Sequence, residues 1–363
     1  MTEQINKNSN QNNKSPNKVN KIYHLLDEKF VFDLFKKEIL PKYPEFSNIK
    51  EIKTHLIKDN IWVSTYHVVI EYQTTFINSE KEIETLPIYC TAHSDEPRLN
   101  SFEALTFLWQ NGFNKENLTI PRPLFYSPDF NAFFYQGISG ENLYQYIRRK
   151  DVATVESVVV QAAAWFAKLH HLSDLAEAAK NFNPLNSRVE TIIPGMAQAL
   201  AKVKNLQPRY FEICREAYER INQEEKDFLS STEKRWLIHG DAHPENVIII
   251  NKNKIGVIDF TDICLADYAR DLGAFLQQLE FMMLRKIEDQ LEVEKIKQLF
   301  LNSYFKNAKI TLDDNLKKRI NNYYNWTSLR TAIFFLLKDK AEPERAHGLL
   351  IKISQNLKLD ITI

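Results

Sequence analysis

The stretch His239-Gly240-Asp241-Ala242-His243-Pro244-Glu245-Asn246, followed by Ile258-Asp259-Phe260-Thr261-Asp262, gathers carboxylates, an amide and two imidazoles beside apolar chain. Val247-Ile248-Ile249-Ile250 and Ile255-Gly256-Val257-Ile258 are short β-branched runs, with the polar Asn251-Lys252-Asn253-Lys254 between them. Two such runs around a short Asn-bearing loop predict a β-hairpin. A four-residue loop would pair Ile250 with Ile255 and Val247 with Ile258, which places Asn246 opposite Asp259. Directly opposite residues carry Cβ atoms about 4.5–5.5 Å apart. An amide oxygen and a carboxylate at that separation can share a hard cation. Mg²⁺ suits such a pair, because it takes one or two protein carboxylates and completes its octahedron with phosphates and water. Asp241, in the turn before the hairpin, is placed to meet a substrate hydroxyl.

The pattern H-x-D-x-x-x-x-N and then D-F resembles the catalytic loop and metal-binding aspartate of the kinase-like fold. Protein kinases carry H-R-D-x-x-x-x-N and D-F-G, whereas Gly240 and Thr261 stand here in place of the arginine and the last glycine. H-G-D-x-x-x-x-N with I-D-F-x-D is similar to the aminoglycoside phosphotransferase and choline kinase-like family of small-molecule phosphotransferases. The resemblance is specific over residues 237–273 and diffuse elsewhere. It implies an ATP- and Mg²⁺-dependent transfer of a γ-phosphoryl group to a hydroxyl of a small molecule of the aminoglycoside, amino sugar or amino alcohol type. Asp241 would be the catalytic residue that orients the hydroxyl, with His239 bracing its loop. Asn246 and Asp259 would hold the metal, joined by Asp262, the second aspartate of the motif.

The family's fold supplies two further expectations. Adenine would meet the backbone of an interlobe hinge, by position Gln136, Gly137 and Ile138. Glu103 would pair with a strand lysine gripping the nucleotide phosphates, although it also fits as the N3 residue of a capping box with Asn100. The preceding strand, Leu86-Pro87-Ile88-Tyr89-Cys90-Thr91-Ala92-His93, contains no lysine. Arg98, His93 or Lys58 are the substitutes within reach. That departure keeps an alternative open, a catalytically weak or inactive kinase-like module that binds a nucleotide or a partner. A third reading takes Gly240-Asp241-Ala242-His243 as a G-D-x-H turn of metal-dependent phosphoesterases, with His239 and His243 as nitrogen ligands.

The 363 residues carry 47 basic and 47 acidic side chains, a balance that argues against a dedicated nucleic-acid binder. Cys90, Cys214 and Cys264 form no C-x-x-C, so neither a disulfide framework nor structural zinc is expected, and a cytoplasmic location fits. No apolar run approaches the roughly 18 residues of a membrane helix, and the N-terminus lacks a signal-peptide core. Neither G-x-x-x-x-G-K-[ST] nor G-x-G-x-x-G occurs. Residues 1–22 are asparagine-rich and polar, and read as a disordered tail.

The elements that must position these groups follow from periodicity. Residues 23–40 have helical spacing, 61–77 and 83–92 read as strands, and Asn100 opens a helix that runs to about Trp109 and closes at Gly112. Pro121, Pro123 and Pro128 mark a turn-rich connection, and Phe133-Phe134-Tyr135 is a last strand before Gly137-Ile138-Ser139-Gly140. Beyond it, Val155, Val158, Val159, Ala162, Trp165, Phe166 and Leu169 share one helical face. Amphipathic stretches cover 189–228, 270–310 and 315–358. Leu169-His170 reads as the end of a core helix with a buried histidine, and Asp267 and Asp271 as helix caps or partners of Arg270. Tyr323, Tyr324, Trp326, Phe334 and Phe335 read as helix core before an aromatic cage for a quaternary ammonium. The expected class is α+β, a two-lobed protein kinase-like fold: a small β-rich N-terminal lobe over 23–137 and a larger, mostly helical C-terminal lobe over 138–363. The expected partner is a small-molecule alcohol, with no nucleic acid and no membrane.

Overall fold

The computed structural model describes residues 20–96, 98–115, 117–172, 182, 184–192 and 195–361. The expected tail lies outside them up to position 19. From Asn20 the chain is folded: the Asn20 side chain accepts from Ile22 N and donates to Trp62 O, and Ile22 is fully buried. The helix expected over 23–40 is broken by Asp27, whose carboxylate accepts from Phe30 N. A 3-10 turn (Lys21–Leu26) precedes it and α1 (Glu28–Glu38) follows.

Three antiparallel strands come next, β1 (Phe46–Ile61), β2 (Tyr66–Asn78) and β3 (Ile83–His93). Strand β2 does not start at 61, because Trp62–Thr65 is the turn that joins it to β1, closed by Trp62 N donating to Thr65 O at 2.9 Å. Along β2, Tyr66, Val68, Ile70, Tyr72, Thr74 and Phe76 are buried in strict alternation, as one covered sheet face requires. They pack with Ile88, Cys90 and Ala92 of β3 and with Val31 and Phe35 of α1. Two short strands, β5 (Arg122–Ser127) and β6 (Ala132–Gln136), complete a sheet of order β1-β2-β3-β6-β5. The turn-rich stretch expected around Pro123 is therefore a strand. Its edge position explains why a proline without an N–H is tolerated there.

The chain divides into two compact units, the first comprising residues up to Arg98 plus Leu124–Phe134, the second Leu99–Pro123 plus Tyr135–Ile363. Helix α2 (Leu99–Leu108) thus belongs to the second unit. Asn100 lies inside that helix, so the expected capping box does not form. The helix ends in a π turn (Trp109–Phe113) where Gly112 takes φ +94°.

The second unit is mostly helical. It contains α3 (Leu143–Arg149), α4 (Val152–His171), α5 (Met196–Leu206), α6 (Phe211–Ser231), α7 (Ala269–Leu284), α8 (Gln290–Ala308), α9 (Asp314–Leu337) and α10 (Pro343–Leu357). Strands β4 (Leu118–Thr119), β10 (Lys254–Val257), β9 (Val247–Asn251) and β7 (Glu141–Asn142) form one small sheet in that order. Strands β8 (Trp236–Ile238) and β11 (Cys264–Ala266) form a separate ribbon. Helix α4 is long and apolar enough to cross a membrane, contrary to the expectation from sequence. Its apolar stripe is instead spent on the core: Val155, Val159, Ala162, Trp165, Phe166 and Leu169 are buried, and Phe166 meets Phe275 of α7 and Phe300 of α8.

Candidate active site

The ribbon and the hairpin hold the motif between them. Ile238 pairs with Cys264, which fixes both ends of the loop from His239 to Ile263. Within the hairpin Val247 pairs with Val257 and Ile249 with Ile255. The register is one residue off the expected one. The connecting turn is the tighter Lys252-Asn253, and an irregularity between Lys254 and Ile255 absorbs the extra residue. Asn246 consequently faces Ile258, whose N–H donates to Asn246 O at 3.0 Å, and not Asp259. Asp259 lies one residue further on, exposed, with φ +66°.

Gly240 shows why the motif has no arginine at that position. Its φ is +85°, and a Cβ there would lie 2.2 Å from the backbone oxygen of Asp262. No L side chain fits, and the close approach brings the Asp241 turn against the segment bearing Asp262.

Below the loop sits Asp271, 1 % exposed in the first turn of α7. Its carboxylate accepts from His239 N at 2.7 Å, from Gly240 N at 2.9 Å and from the His170 ring at 3.1 Å. Burial would raise the Asp271 carboxyl, but the His170 hydrogen bond, the His170 and His239 rings and the Gly240 N–H outweigh it and hold it down. The sequence suggested a helix cap or an Arg270 partner; the structure makes Asp271 the anchor of the His239–Gly240–Asp241 loop. Asp267 does cap, accepting from Ala269 N, but its cationic partner is Arg319 at 2.5 Å. His170 is the buried, hydrogen-bonded core histidine expected, also bonded to Tyr304 Oη at 2.8 Å.

His239 is fully buried. Its Nε2 donates to Ile258 O at 3.0 Å, and its Nδ1 accepts from Asp241 N at 3.3 Å. With both ring nitrogens committed, it braces the loop and has none left for a metal, which removes the phosphoesterase-type reading.

Asp241 is half-exposed, with one oxygen 3.4 Å from His243 Nε2. Burial pushes its carboxyl up, but the His243 hydrogen bond and charge, with His239 and Arg330, win and hold it at about 2. For His243, burial lowers the ring and the Asp241 hydrogen bond and charge raise it, for a net upward shift. Asn246 Nδ2 donates to Asp241 O at 3.0 Å, which leaves the amide oxygen as its remaining donor atom for a cation. Asp259 Oδ1 accepts from Thr261 Oγ1 at 2.7 Å, and Asp262 Oδ1 from Asn186 Nδ2 at 2.6 Å. The Asp262 carboxyl is raised, by burial first and then by the charges of Asp241 and Asp259.

These groups fit a hard divalent cation. The donors are all oxygens, and neighbouring carboxylates strain one another in the absence of positive charge. Among the described residues no three His, Cys, Asp or Glu side chains converge into a closed cage. That suits a metal which draws the rest of its shell from phosphates and water.

The loop opens into a cavity of about 540 Å³ within the second unit. It is lined by Asp241, His243 and Glu245 and by side chains of α7, α9 and α10. Trp326, Phe334 and Phe335 line it, whereas Tyr323 is buried and bonded to Glu225, so the five aromatics form no single cage.

The remaining expected residues are distributed as follows. Gln136 ends β6; Ile138 packs on Gly256, where a Cβ would lie 2.3 Å from its Cδ1. Glu103 is exposed on α2, with no cationic partner among the described residues. In the first unit, the three substitutes expected for the strand lysine, Lys58, Arg98 and His93, come together around a fourth group absent from that expectation, His67. Lys58 Nζ lies 3.1 Å and Arg98 Nη2 3.4 Å from His67 Nε2, and the His67 and His93 rings are 4.6 Å apart. Burial and then the Lys58, Arg98 and His93 charges depress His67 to about 4. Arg98 is 8 % exposed and its Nε has no hydrogen-bond partner. The His67–His93 pairing across β2 and β3 was the missed signal.

The family model described as "Phosphotransferase enzyme family" matches residues 78–302, more than half of the chain. Among solved structures, a choline kinase from Cryptosporidium parvum covers 92 % of this chain and 96 % of its own, at 13 % identity and TM-score 0.60. A spectinomycin phosphotransferase, solved with ADP and spectinomycin, covers 92 % and 98 % at 12 % identity and TM-score 0.53. Amicoumacin kinase, solved with AMP-PNP, Ca²⁺ and its ligand, covers 88 % and 92 % at 13 % identity and TM-score 0.53. A search of curated protein sequences finds no match. The fold is the two-lobed protein kinase-like one, with a β-rich N-terminal part and a largely helical C-terminal part. The chain belongs to the phosphotransferase enzyme family, and its class is small-molecule kinase.

Proposed function

We propose that the protein transfers the γ-phosphoryl group of ATP, with Mg²⁺, to a hydroxyl of a small molecule in the cytoplasm. The observation that carries this reading is Asp241, an ionised carboxylate at the wall of a ligand-sized cavity, on a loop held by buried Asp271. Phosphoryl transfer passes through a loose transition state, so the protein mainly positions groups and neutralises charge. With its carboxyl held at about 2 by His243, Asp241 is a weak ground-state base. Its work is to align the acceptor hydroxyl and take its proton late, as the new bond forms. Asn246, Asp259 and Asp262 would hold the cation, which when bound neutralises charge on the phosphates. Gln136, Gly137 and Ile138 would offer backbone groups to adenine. Within the first unit, Lys58 and Arg98 beside His67 are suited to anionic oxygens such as those of phosphate, in the absence of a β3 lysine.

The structural relatives include a choline kinase, a spectinomycin phosphotransferase and an amicoumacin kinase. They make an amino alcohol or amino sugar the starting expectation for the acceptor here. The three buried free cysteines support a reducing compartment.

The test is Asp241→Asn. Nucleotide binding measured by calorimetry should persist while acceptor-dependent ADP release disappears. Unchanged turnover would remove Asp241 from the chemistry. Nucleotide binding without turnover in the wild type, across acceptors of every charge, would favour the non-catalytic module.

A further inference from the structure

The cavity that holds Asp241 has a cationic wall. Arg285 at the end of α7, Arg330 on α9, and Lys338 and Arg345 at the turn from α9 into α10 all line it, against two acidic lining residues among the described ones, Asp241 and Glu245. Part of this charge is neutralised, because Lys338 and Arg345 both bond to Glu342. Arg285 and Arg330 have no carboxylate within ion-pair distance among the described residues. Arg345 lies over the Phe335 ring at 3.9 Å, and its Nη2 is buried without a hydrogen-bond partner. Arg330 acts on the site from a distance, lowering both Asp241 and Asp262. Beside these cations Phe334, 60 % exposed, supplies an apolar surface, with the buried Trp326 behind it.

Unpaired guanidinium groups around a partly enclosed space attract carboxylate or phosphate oxygens, which they bind by paired, charge-assisted hydrogen bonds. The same groups repel an ammonium, so the wall selects against one acceptor class as it selects for another. The Nη2 of Arg345 also lacks a protein acceptor, but it is buried, so the exposed unpaired guanidinium groups of the wall are those of Arg285 and Arg330.

We infer that the acceptor is an alcohol bearing an anionic oxygen group, carboxylate or phosphate. Its anionic end is held by Arg285 and Arg330, with the charge of Arg345 behind them, its body rests on Phe334, and its hydroxyl is turned to Asp241. This rests on the proposed phosphoryl transfer, with Asp241 marking the reacting end of the cavity, and replaces the amino alcohol or amino sugar suggested by the structural relatives with an anionic acceptor.

The test uses three matched alcohols that differ only in charge: 4-(hydroxymethyl)benzoate, 1,4-benzenedimethanol and 4-(hydroxymethyl)benzylamine. Their binding to the whole protein is measured by calorimetry in the presence of MgATP, for wild type, Arg285→Gln/Arg330→Gln and Arg345→Gln. The anion should bind at least about ten-fold more tightly than the amine, about 1.4 kcal/mol. The Arg285→Gln/Arg330→Gln variant, altered at exposed positions that leave the core intact, should lose that preference. Equal affinities, a preference for the amine, or no measurable binding of any of the three would overturn the inference, as would an anion preference that survives all the arginine substitutions. Binding of MgATP alone to the same samples reports separately on the proposed function. Its failure would refute the kinase reading without touching the charge preference.

Discussion

Replacing Asp271 by alanine tests whether one buried carboxylate holds the catalytic loop. The substitution removes the acceptor of His239 N at 2.7 Å, of Gly240 N at 2.9 Å and of the His170 ring at 3.1 Å, at a site that is 1 % exposed. Each buried donor left without a partner costs about 1–3 kcal/mol. Two stranded backbone N–H groups therefore cost about 2–6 kcal/mol. Relief of the carboxylate's own desolvation offsets part of that, so a loss of about 2–4 kcal/mol is expected. The proline-containing turn and Gly240 would lose their reference point, so the Asp241 carboxylate should be displaced as well. The assay is paired, with chemical denaturation for stability and ADP release for turnover. Asp271→Asn is the informative comparison, since it keeps one acceptor oxygen but puts an N–H₂ against the second backbone N–H. Alanine should cost more stability than asparagine, and both should lose turnover. A stability loss under about 1 kcal/mol for alanine, typical of a surface change, would refute the anchoring argument.

The cationic cluster of the first unit gives two further expectations. Lys58→Met and Arg98→Ala should each weaken ATP binding, by about ten-fold for loss of one charge-assisted contact, while adenosine binding stays unchanged; equal effects on both ligands, read by calorimetry, would place the cluster away from the phosphates. His67 titrates at about 4 when folded, below its ordinary value of 6.5, so the unfolded chain binds the extra proton between these limits. Its contribution to stability is complete above about 6.5 and is lost as pH falls toward 4. His67→Gln should flatten the melting temperature over that window, and an unchanged slope would contradict the depressed value.

Much of the site was legible because its chemistry is local in sequence. Asp241, Asn246, Asp259 and Asp262 fall within a span whose loop and hairpin are written in apolar runs and turn residues. The hairpin register was not legible, because both a two-residue and a four-residue turn fit Asn251-Lys252-Asn253-Lys254, and only packing chooses. Asp271 was misread because a carboxylate in the first turn of a helix has an ordinary local explanation, and its partners His239 and Gly240 lie about thirty positions earlier. Strand β1 escaped notice since most of its residues, such as Lys50, Glu51 and Lys53, face solvent, and the apolar alternation of Ile49, Ile52 and Leu56 is irregular. Helix α4 shows the opposite failure: counting uninterrupted apolar residues missed a helix whose mean hydropathy reaches 1.3 despite Glu156 and Lys168. That Arg285, Arg330 and Arg345 line one cavity was not legible, because they come from three separate segments that converge only in space.

The central claim is that Asp259, with Asn246, holds a divalent cation on a bound nucleotide. The direct measurement is the thermal shift of wild type and Asp259→Ala with ATP alone and with ATP plus Mg²⁺. Ligand at about 100 times Kd stabilises by roughly 2.7 kcal/mol, a rise of several degrees. A Mg²⁺-dependent rise is expected in the wild type, and its disappearance in the variant. A rise of equal size in both proteins, or none in either at saturating nucleotide, would contradict it.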